Sequence, residues 1–336
     1  MATNVKFQSN ATDIQATIEN TEITENESTD SSPPEPIEPE QKKVEEVPWS
    51  AFLKSANQQA IRKRICSEIE IILTTHNLQS DCCLAILEPA DSIDSFDLDR
   101  IYRGLNELNP NHDKRVILFV ISAGGSIEPA YQISKLCKSF SKGEFIVVVP
   151  RNAKSAATMI AIGADEIHMG LLGQLGPIDP QIGGLPALGV SQALRTIASV
   201  AQKYPGSAEM FAKYLRQALT VEQIGYCDRI SESAMQYAQR LLSTKPALAS
   251  SSSRIARELV YEYKDHGFVI DLDEARKHLG EDWIKTGTAE LRAAEHIYTL
   301  IELINLLLRR QQSKRLLICG NLLDESSILI LENEDD

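Results

Sequence analysis

The chain has 336 residues and a formal net charge of −13, with 43% apolar and 24% charged residues. This length holds one large domain or two ordinary ones, and the composition is that of a globular protein rather than a disordered or fibrous one. The sequence has no run of about 18 apolar residues and its first ten residues lack an apolar stretch, so we expect neither a transmembrane anchor nor a secretion signal.

Negative charge is concentrated near the two ends. Residues 1–46 hold eleven acidic residues and three lysines, and the last six residues hold four acidic residues and no basic one. The remainder is almost neutral, so we expect no nucleic-acid partner. Residues 1–47 are also rich in Thr, Ser, Glu and Pro, which cannot bury enough apolar surface to fold, and we predict a disordered acidic tail there.

The six cysteines lie at positions 66, 82, 83, 137, 227 and 319, without the paired spacing of a structural zinc site. Several are in apolar stretches, where cysteine behaves as a small hydrophobic residue. We therefore expect a reduced, cytoplasmic chain that holds no metal.

Strands and helices alternate in the first half of the chain. Apolar residues at helical spacing predict an amphipathic helix over residues 48–79, packed on the main domain. Apolar, β-branched runs at 82–87, 115–121 and 144–150 predict strands, and DEIHMG predicts another, with helical segments between them. Continuous apolar strands separated by amphipathic helices are typical of an α/β fold with a parallel sheet covered on both faces.

The second half has mainly helical periodicity. We predict a helical extension over residues 191–310. The final segment, 311–336, contains the apolar runs LLICGNLL and ILILE before its acidic end. Its pattern fits a strand or a hairpin, and does not place either in the sheet.

A glycine pair follows one of the predicted strands. Residues 122–126 read Ser-Ala-Gly-Gly-Ser, directly after the run RVILFVI and directly before a helical segment. Glycines here let the backbone turn sharply and approach a ligand, and free N–H groups of the turn can hold a negative oxygen. A tight turn without a ligand is the other interpretation of this pair.

The next strand ends in a similar turn. The segment PRNAKSAA surrounds Ser155 with small residues at the start of a helix. The N–H of Ala156 would then point to where an acyl oxyanion forms, although a serine at a helix start is also a common cap. Adjacent parallel strands bring the two turns to the same edge of the sheet. A nucleophile on one turn and an oxyanion donor on the other predict acyl transfer.

The segments SAGGSIEPAYQI, PRNAKSAATMIAIGADEIHMG and GQLGPIDPQ resemble the Clp/crotonase superfamily. They are most similar to serine peptidases related to signal peptide peptidase A, the serine dehydrogenase proteinase group. The resemblance covers roughly residues 80–300. It implies a Clp/crotonase-type catalytic core over residues 80–190, a parallel sheet with crossover helices, a helical C-terminal extension, no cofactor, and a homo-oligomer.

The resemblance also implies roles for individual residues. The family serine corresponds to Ser155, and the oxyanion donors correspond to Gly124, Gly125 and Ala156. Ala123 replaces the proline that the family often has, which leaves the donors in place. The loop after the core forms a wall of the peptide cleft, and it corresponds to the substrate-binding residues Gly176, Pro177, Ile178 and Asp179.

The general base is the open part of this prediction. No histidine stands where Clp-type subunits have one, and His168, 13 residues after Ser155, is expected to be structural. Signal peptide peptidases use a lysine on a later helix, and a desolvated lysine can act as a base. Lys203 is the candidate in that window and Lys213 lies just beyond it, and either fits an ordinary surface lysine equally well.

Three further residues are candidates for a role at the site. Lys154 is adjacent to Ser155 and a further candidate base, although neighbouring residues on a helix face apart. Asp179 could orient a base or hold a substrate amine. His266 has no assigned role at this point.

We therefore predict a serine endopeptidase with a Ser-Lys dyad that acts on peptides or proteins. Two alternatives remain. One is a crotonase-like enzyme that stabilises a thioester enolate of an acyl-CoA with the same N–H donors. The other is a catalytically inactive oligomeric scaffold or peptide-binding member of the same fold.

Overall fold

A mostly parallel sheet runs through the centre of the computed structural model, which describes residues 47–88, 92–182 and 185–333. The strands of this part of the chain are β1 (Cys82–Glu88), β2 (Val116–Ser122), β3 (Phe145–Val149), β4 (Asn152–Ala153), β5 (Glu166–Met169), β6 (Gln174–Leu175), β7 (Gln181–Ile182), β8 (Leu185–Pro186), β9 (Ile284–Lys285), β10 (Lys314–Asn321) and β11 (Ile328–Glu332).

Helices connect and cover these strands. They are α1 (Trp49–Phe52), α2 (Gln58–Thr75), α3 (Ser95–Leu108), α4 (Ile127–Phe140), α5 (Ala156–Ala161), α6 (Ala187–Lys203), α7 (Ala208–Ala218), α8 (Val221–Ser243), α9 (Ser252–Arg257), α10 (Leu272–Leu279) and α11 (Ala289–Gln312). Short 3-10 turns occupy Pro205–Ser207, Ala249–Ser251 and Glu325–Ser327, and one π-helical turn, Glu258–Glu262, continues α9.

The strand order is β11-β10-β1-β2-β3-β5-β9, with β4 paired to both β2 and β6. The strands from β1 to β9 on this path are parallel, which confirms the α/β fold and the parallel core. The C-terminal hairpin makes the sheet mixed, because β10 is antiparallel to both β1 and β11. A turn as short as Glu325–Ser327 leaves no room for a crossover, so the two hairpin strands must run in opposite directions.

Alternate residues of the central strands face two separate cores. On β1, Leu84 and Ile86 point to one side, where they meet α3, α4, α5 and α8, and Ala85 and Leu87 point to the other, where they meet α2 and α11. This alternation follows from the two-residue period of a strand, and both sides are buried because helices cover both faces.

The segment predicted as one helix over residues 48–79 is two helices. α1 ends at Phe52, and Asn57 starts α2 by accepting a hydrogen bond from the Ala60 N–H to its Oδ1 at 2.8 Å. Asparagine is a strong helix cap, and it interrupts an otherwise continuous apolar pattern. The buried face of α2 packs on the sheet. The predicted acidic tail falls outside the described residues except for Val47.

The buried stripe of α2 predicts a sharp contrast between two of its isoleucines. Ile69 is fully buried, whereas Ile71 is 60% exposed. Ile69→Ala should lower the free energy of unfolding by about 2–5 kcal/mol, because it leaves a cavity under the sheet. Ile71→Ala makes the same change of helix propensity and should change the free energy of unfolding by less than about 0.5 kcal/mol. Urea denaturation of both variants measures the difference, and equal losses would contradict this packing.

Candidate active site

Ser155 occupies a strained turn between β4 and α5. Its backbone has φ 51° and ψ −116°, a conformation that costs a residue with a side chain about 1–3 kcal/mol. The surrounding backbone holds it there, since the Lys154 N–H donates to the Ser122 carbonyl at 3.0 Å and the Ala157 N–H donates to the Lys154 carbonyl at 2.9 Å. In α/β-hydrolases, a strained strand-to-helix turn exposes the nucleophilic serine in the same way.

The glycine loop lies beside Ser155. A Cβ on Gly124 would come within 2.6 Å of Ser155 Cβ, so this close approach requires glycine. Gly124 itself is not free to donate, because its N–H is bonded to Ser122 Oγ at 3.1 Å. Of the two predicted glycine donors, only Gly125 therefore has an N–H directed elsewhere.

Gly125 pairs with Ile93 as a short parallel bridge. The Ile93 N–H donates to the Gly124 carbonyl and the Ser126 N–H donates to the Ile93 carbonyl, both at 2.8 Å. In a parallel bridge of this kind, the N–H and carbonyl of the residue between the two partners point away from the paired strand. The Gly125 N–H is therefore directed to the cavity side, and a Cβ here would be 2.3 Å from Ile93 N.

An aspartate and a histidine meet on the other side of Ser155. The Asp179 carboxylate is 2.7 Å from His266 Nδ1. Their loops are aligned by an antiparallel bridge between Leu175 and Ile270, in which each N–H donates to the other carbonyl at 2.9 and 3.0 Å. Asp179 lies four residues after Leu175 and His266 lies four residues before Ile270, so the antiparallel register sets them opposite each other.

The bond to Asp179 orients the imidazole and changes its titration. The carboxylate raises the pKa of His266 above its usual value of 6.5, because it stabilises the charged ring. With Nδ1 bonded to the carboxylate, Nε2 is the nitrogen that remains available to the cavity. Sequence reasoning did not assign His266 a role, since 111 residues separate it from Ser155 and no local pattern links the two.

Ser155, the glycine loop and His266 share one cavity of about 620 Å³. Its lining includes Ser155, Gly125 and His266, together with Pro180 and Gln181 of the loop that follows Asp179. One face of α8 closes the cavity on the far side, through Tyr226, Ile230, Ser233 and Ala234.

The other loop residues predicted to bind substrate lie behind this lining. Gly176, Pro177 and Ile178 are buried, and a Cβ on Gly176 would be 3.0 Å from Lys154 Cγ. Thr158 Oγ1 accepts the Gly176 N–H at 3.0 Å and is 2.6 Å from the Ala153 carbonyl, so it ties this loop to the turn that carries Ser155. These three loop residues therefore support the turn that carries Ser155 from behind the cavity lining.

The predicted lysines are in three different settings. Lys154 is half-buried, and its Nζ donates to the Gly267 carbonyl at 2.8 Å, next to His266. Lys203 is exposed at the end of α6, with its Nζ 5.5 Å from the ring centre of Tyr204, and Lys213 pairs with Glu209 on the surface of α7. Neither of these two is among the residues that line the cavity.

His168 belongs to a separate buried network on the other side of β5. Its Nε2 is 3.0 Å from Glu166 and its Nδ1 is 2.9 Å from Thr288 Oγ1. The neighbouring Glu290 has its pKa lowered to about 2, first by the contact with His168. A lowered carboxyl pKa stabilises the fold above the unfolded value of about 4.5 and loses this effect as the pH falls towards 2. This setting supports the structural interpretation of His168.

The sequence of this chain matches that of a known protein family. A sequence profile described as ClpP-like SDH-type serine proteinase matches residues 53–219. An uncharacterized protein of Methanocaldococcus jannaschii is 26% identical over 263 residues, which are 75% of this chain and 83% of that protein. A second uncharacterized protein of the same organism is 35% identical over 97 residues, which are 29% of this chain and 32% of that protein.

Comparison with solved structures also gave matches. ClpP1 from Listeria monocytogenes is 16% identical with a TM-score of 0.38, over 65% of this chain and 99% of that chain. The membrane-bound stomatin-specific protease 1510-N, in complex with a substrate peptide, is 17% identical with a TM-score of 0.38, over 60% and 74% of the two chains. Within the described residues of the present chain, no helix is long and apolar enough to cross a membrane.

The contact between His266 and Asp179 can be tested by titration. In NMR spectra of the imidazole, the pKa of His266 should lie above 6.5. Asp179→Asn removes the negative charge and should lower that pKa, because burial then acts on the ring without a counter-ion. Glu281→Gln, an exposed carboxylate elsewhere, is the matched control and should leave it unchanged. Equal shifts in both variants would mean that overall charge, and not this contact, sets the titration.

Proposed function

Because the chain belongs to the ClpP-like SDH-type serine proteinases, we propose that it hydrolyses peptide bonds with a Ser155–His266–Asp179 triad. The observation that carries the proposal is the shared cavity of Ser155 and His266, with His266 Nδ1 held 2.7 Å from Asp179. A nucleophile, a base and a group that orients the base are the three parts that acyl transfer by serine requires.

In the first half of the reaction, Ser155 Oγ attacks the carbonyl carbon while its proton passes to His266 Nε2. The Asp179 carboxylate stabilises the imidazolium that results. The protonated ring then donates this proton to the departing amine, and the peptide carbonyl carbon remains bonded to Ser155 as an ester. In the second half, water attacks the ester carbon while His266 takes a proton from it. The bond between this carbon and Ser155 Oγ then breaks, His266 returns the proton to Oγ, and the acid is released.

Two backbone N–H groups are the proposed oxyanion donors. The Gly125 N–H is directed away from Ile93, and Ala156 follows the nucleophile at the start of α5, where helix N–H groups have no partner within the helix. Donors positioned before the reaction stabilise the negative oxygen without reorganising, which is commonly a large part of catalysis. Gly124 then serves to allow the close approach of the loop to Ser155.

The lysine base expected from the resemblance is replaced in this proposal. Lys203 is exposed and does not line the cavity, and Lys154 donates to the Gly267 carbonyl, where it supports the loop that carries His266. A Ser-Lys dyad through Lys154 is the competing mechanism. Homo-oligomeric assembly, endopeptidase action and a cytoplasmic location stay predictions.

Labelling with a fluorophosphonate tests the nucleophile directly. The wild-type protein should gain one adduct in its intact mass, and Ser155→Ala should gain none, because these reagents phosphonylate an activated serine. Ser233→Ala changes another serine of the same cavity and should keep the adduct. A folded wild-type protein that forms no adduct would favour the scaffold or the acyl-CoA alternative.

The rate of this labelling as a function of pH tests the base. The base must be unprotonated, and Asp179 raises the pKa of His266, so the rate should rise with pH through a value above 6.5. His266→Gln should lower the rate by about 10²–10⁴-fold and remove this rise, whereas Lys203→Gln should stay within about twofold. If Lys154→Gln removed the rise and His266→Gln kept it, the lysine would be the base.

A further inference from the structure

One wall of the cavity carries a carboxylate that the proposed reaction does not use. Glu128 lies in the first turn of α4, three residues after Gly125, and lines the cavity with Ser155 and His266. Three residues span at most about 11 Å, so the backbone of Glu128 lies within that distance of the proposed oxyanion donor, and both residues line the same cavity. Among the residues that the structure describes, no Lys or Arg lines the cavity, and no basic side chain is within ion-pair distance of Glu128.

The rest of that wall combines apolar side chains with serines, of which Ser126 and Ser233 line the cavity. Ile127 precedes Glu128, and α8 presents Tyr226, Ile230 and Ala234 to the same space. These three α8 positions recur at helical spacing, so they share one face of the helix. Apolar side chains beside a carboxylate match a side chain with a long hydrocarbon stem and a positive end, which are the two parts of lysine and arginine.

We infer that the cavity selects a lysine or arginine side chain on the residue whose carbonyl Ser155 attacks. The Glu128 carboxylate binds the positive end of that side chain. This inference rests on the proposed peptidase function and deepens it. The stem packs along Ile127, Ile230 and Ala234, and the ammonium or guanidinium group reaches the Glu128 carboxylate. An acidic side chain at the same position meets that carboxylate without a cation to offset the repulsion.

Covalent probes test this preference without a known substrate. Peptidyl phosphonate diphenyl esters that carry a lysine, leucine or glutamate side chain next to phosphorus are compared by their rates of labelling Ser155. The lysine probe should label wild type faster than the leucine probe, and the glutamate probe should be slowest. Glu128→Gln should slow the lysine probe roughly tenfold, the size of a lost charge-assisted contact, and change the leucine probe less than twofold.

Two further variants sharpen the test. Glu128→Lys reverses the charge and should make the glutamate probe faster than the lysine probe. Glu302→Gln removes an exposed carboxylate from α11, on the opposite side of the sheet, and should keep the wild-type order of all three probes.

The simple fluorophosphonate separates this inference from the function on which it rests. It carries no amino-acid side chain, so it reports the reactivity of Ser155 separately from side-chain selectivity, and Glu302→Gln should react with it at the wild-type rate. Two results would contradict the selectivity but not the peptidase proposal, provided that the fluorophosphonate labels wild type. In one, the lysine probe labels wild type no faster than the leucine probe. In the other, the lysine probe remains equally faster in Glu128→Gln. If no probe labels the folded wild-type protein, the peptidase proposal fails and the selectivity falls with it.

Discussion

Two backbone hydrogen bonds between Leu175 and Ile270 bring the candidate site together. Ser155 and the glycine loop come from neighbouring strands of the sheet, and Asp179 follows shortly after them. His266 comes from a segment that lies beyond α6, α7 and α8. The antiparallel bridge sets the register of this segment against the loop of Asp179, so that the carboxylate and the imidazole meet at 2.7 Å. A slip of one residue would turn the histidine away from its partner.

The strained conformation of Ser155 persists because its surroundings are well determined on every side. Ser122 and Ala153 are register partners of the sheet, so the turn starts from a defined point. Thr158, which is fully buried, links the Ala153 carbonyl to the Gly176 backbone. Packing and hydrogen bonds of this kind offset the cost of a positive φ at a residue with a side chain.

Local patterns predicted much of this molecule. The strands from residues 82 to 169 stand out because they are continuous apolar runs, and the turns at Gly125 and Ser155 stand out because each follows such a strand. The partner of Asp179 did not stand out, because the bridge that aligns it with His266 is a single pair with no sequence signature. Lys203 is a candidate because it lies at the distance from Ser155 in the sequence where signal peptide peptidases have their lysine. That distance does not determine where the end of α6 lies in the folded protein. The sequence also did not predict where the C-terminal hairpin joins the sheet. Its position depends on the free edge of β1, with which β10 pairs.

The separation of Ser155 and His266 in the sequence matters during synthesis of the protein on the ribosome. Synthesis runs from the N-terminus, so the turn that carries Ser155 is made before the segment around residue 266. In the proposed triad, Ser155 has no base and Asp179 has no imidazole to orient until that segment docks on Leu175. Under the proposed mechanism, the chain therefore cannot cleave proteins near the ribosome during its own synthesis, because hydrolysis requires a segment that is among the last parts of the domain to be made.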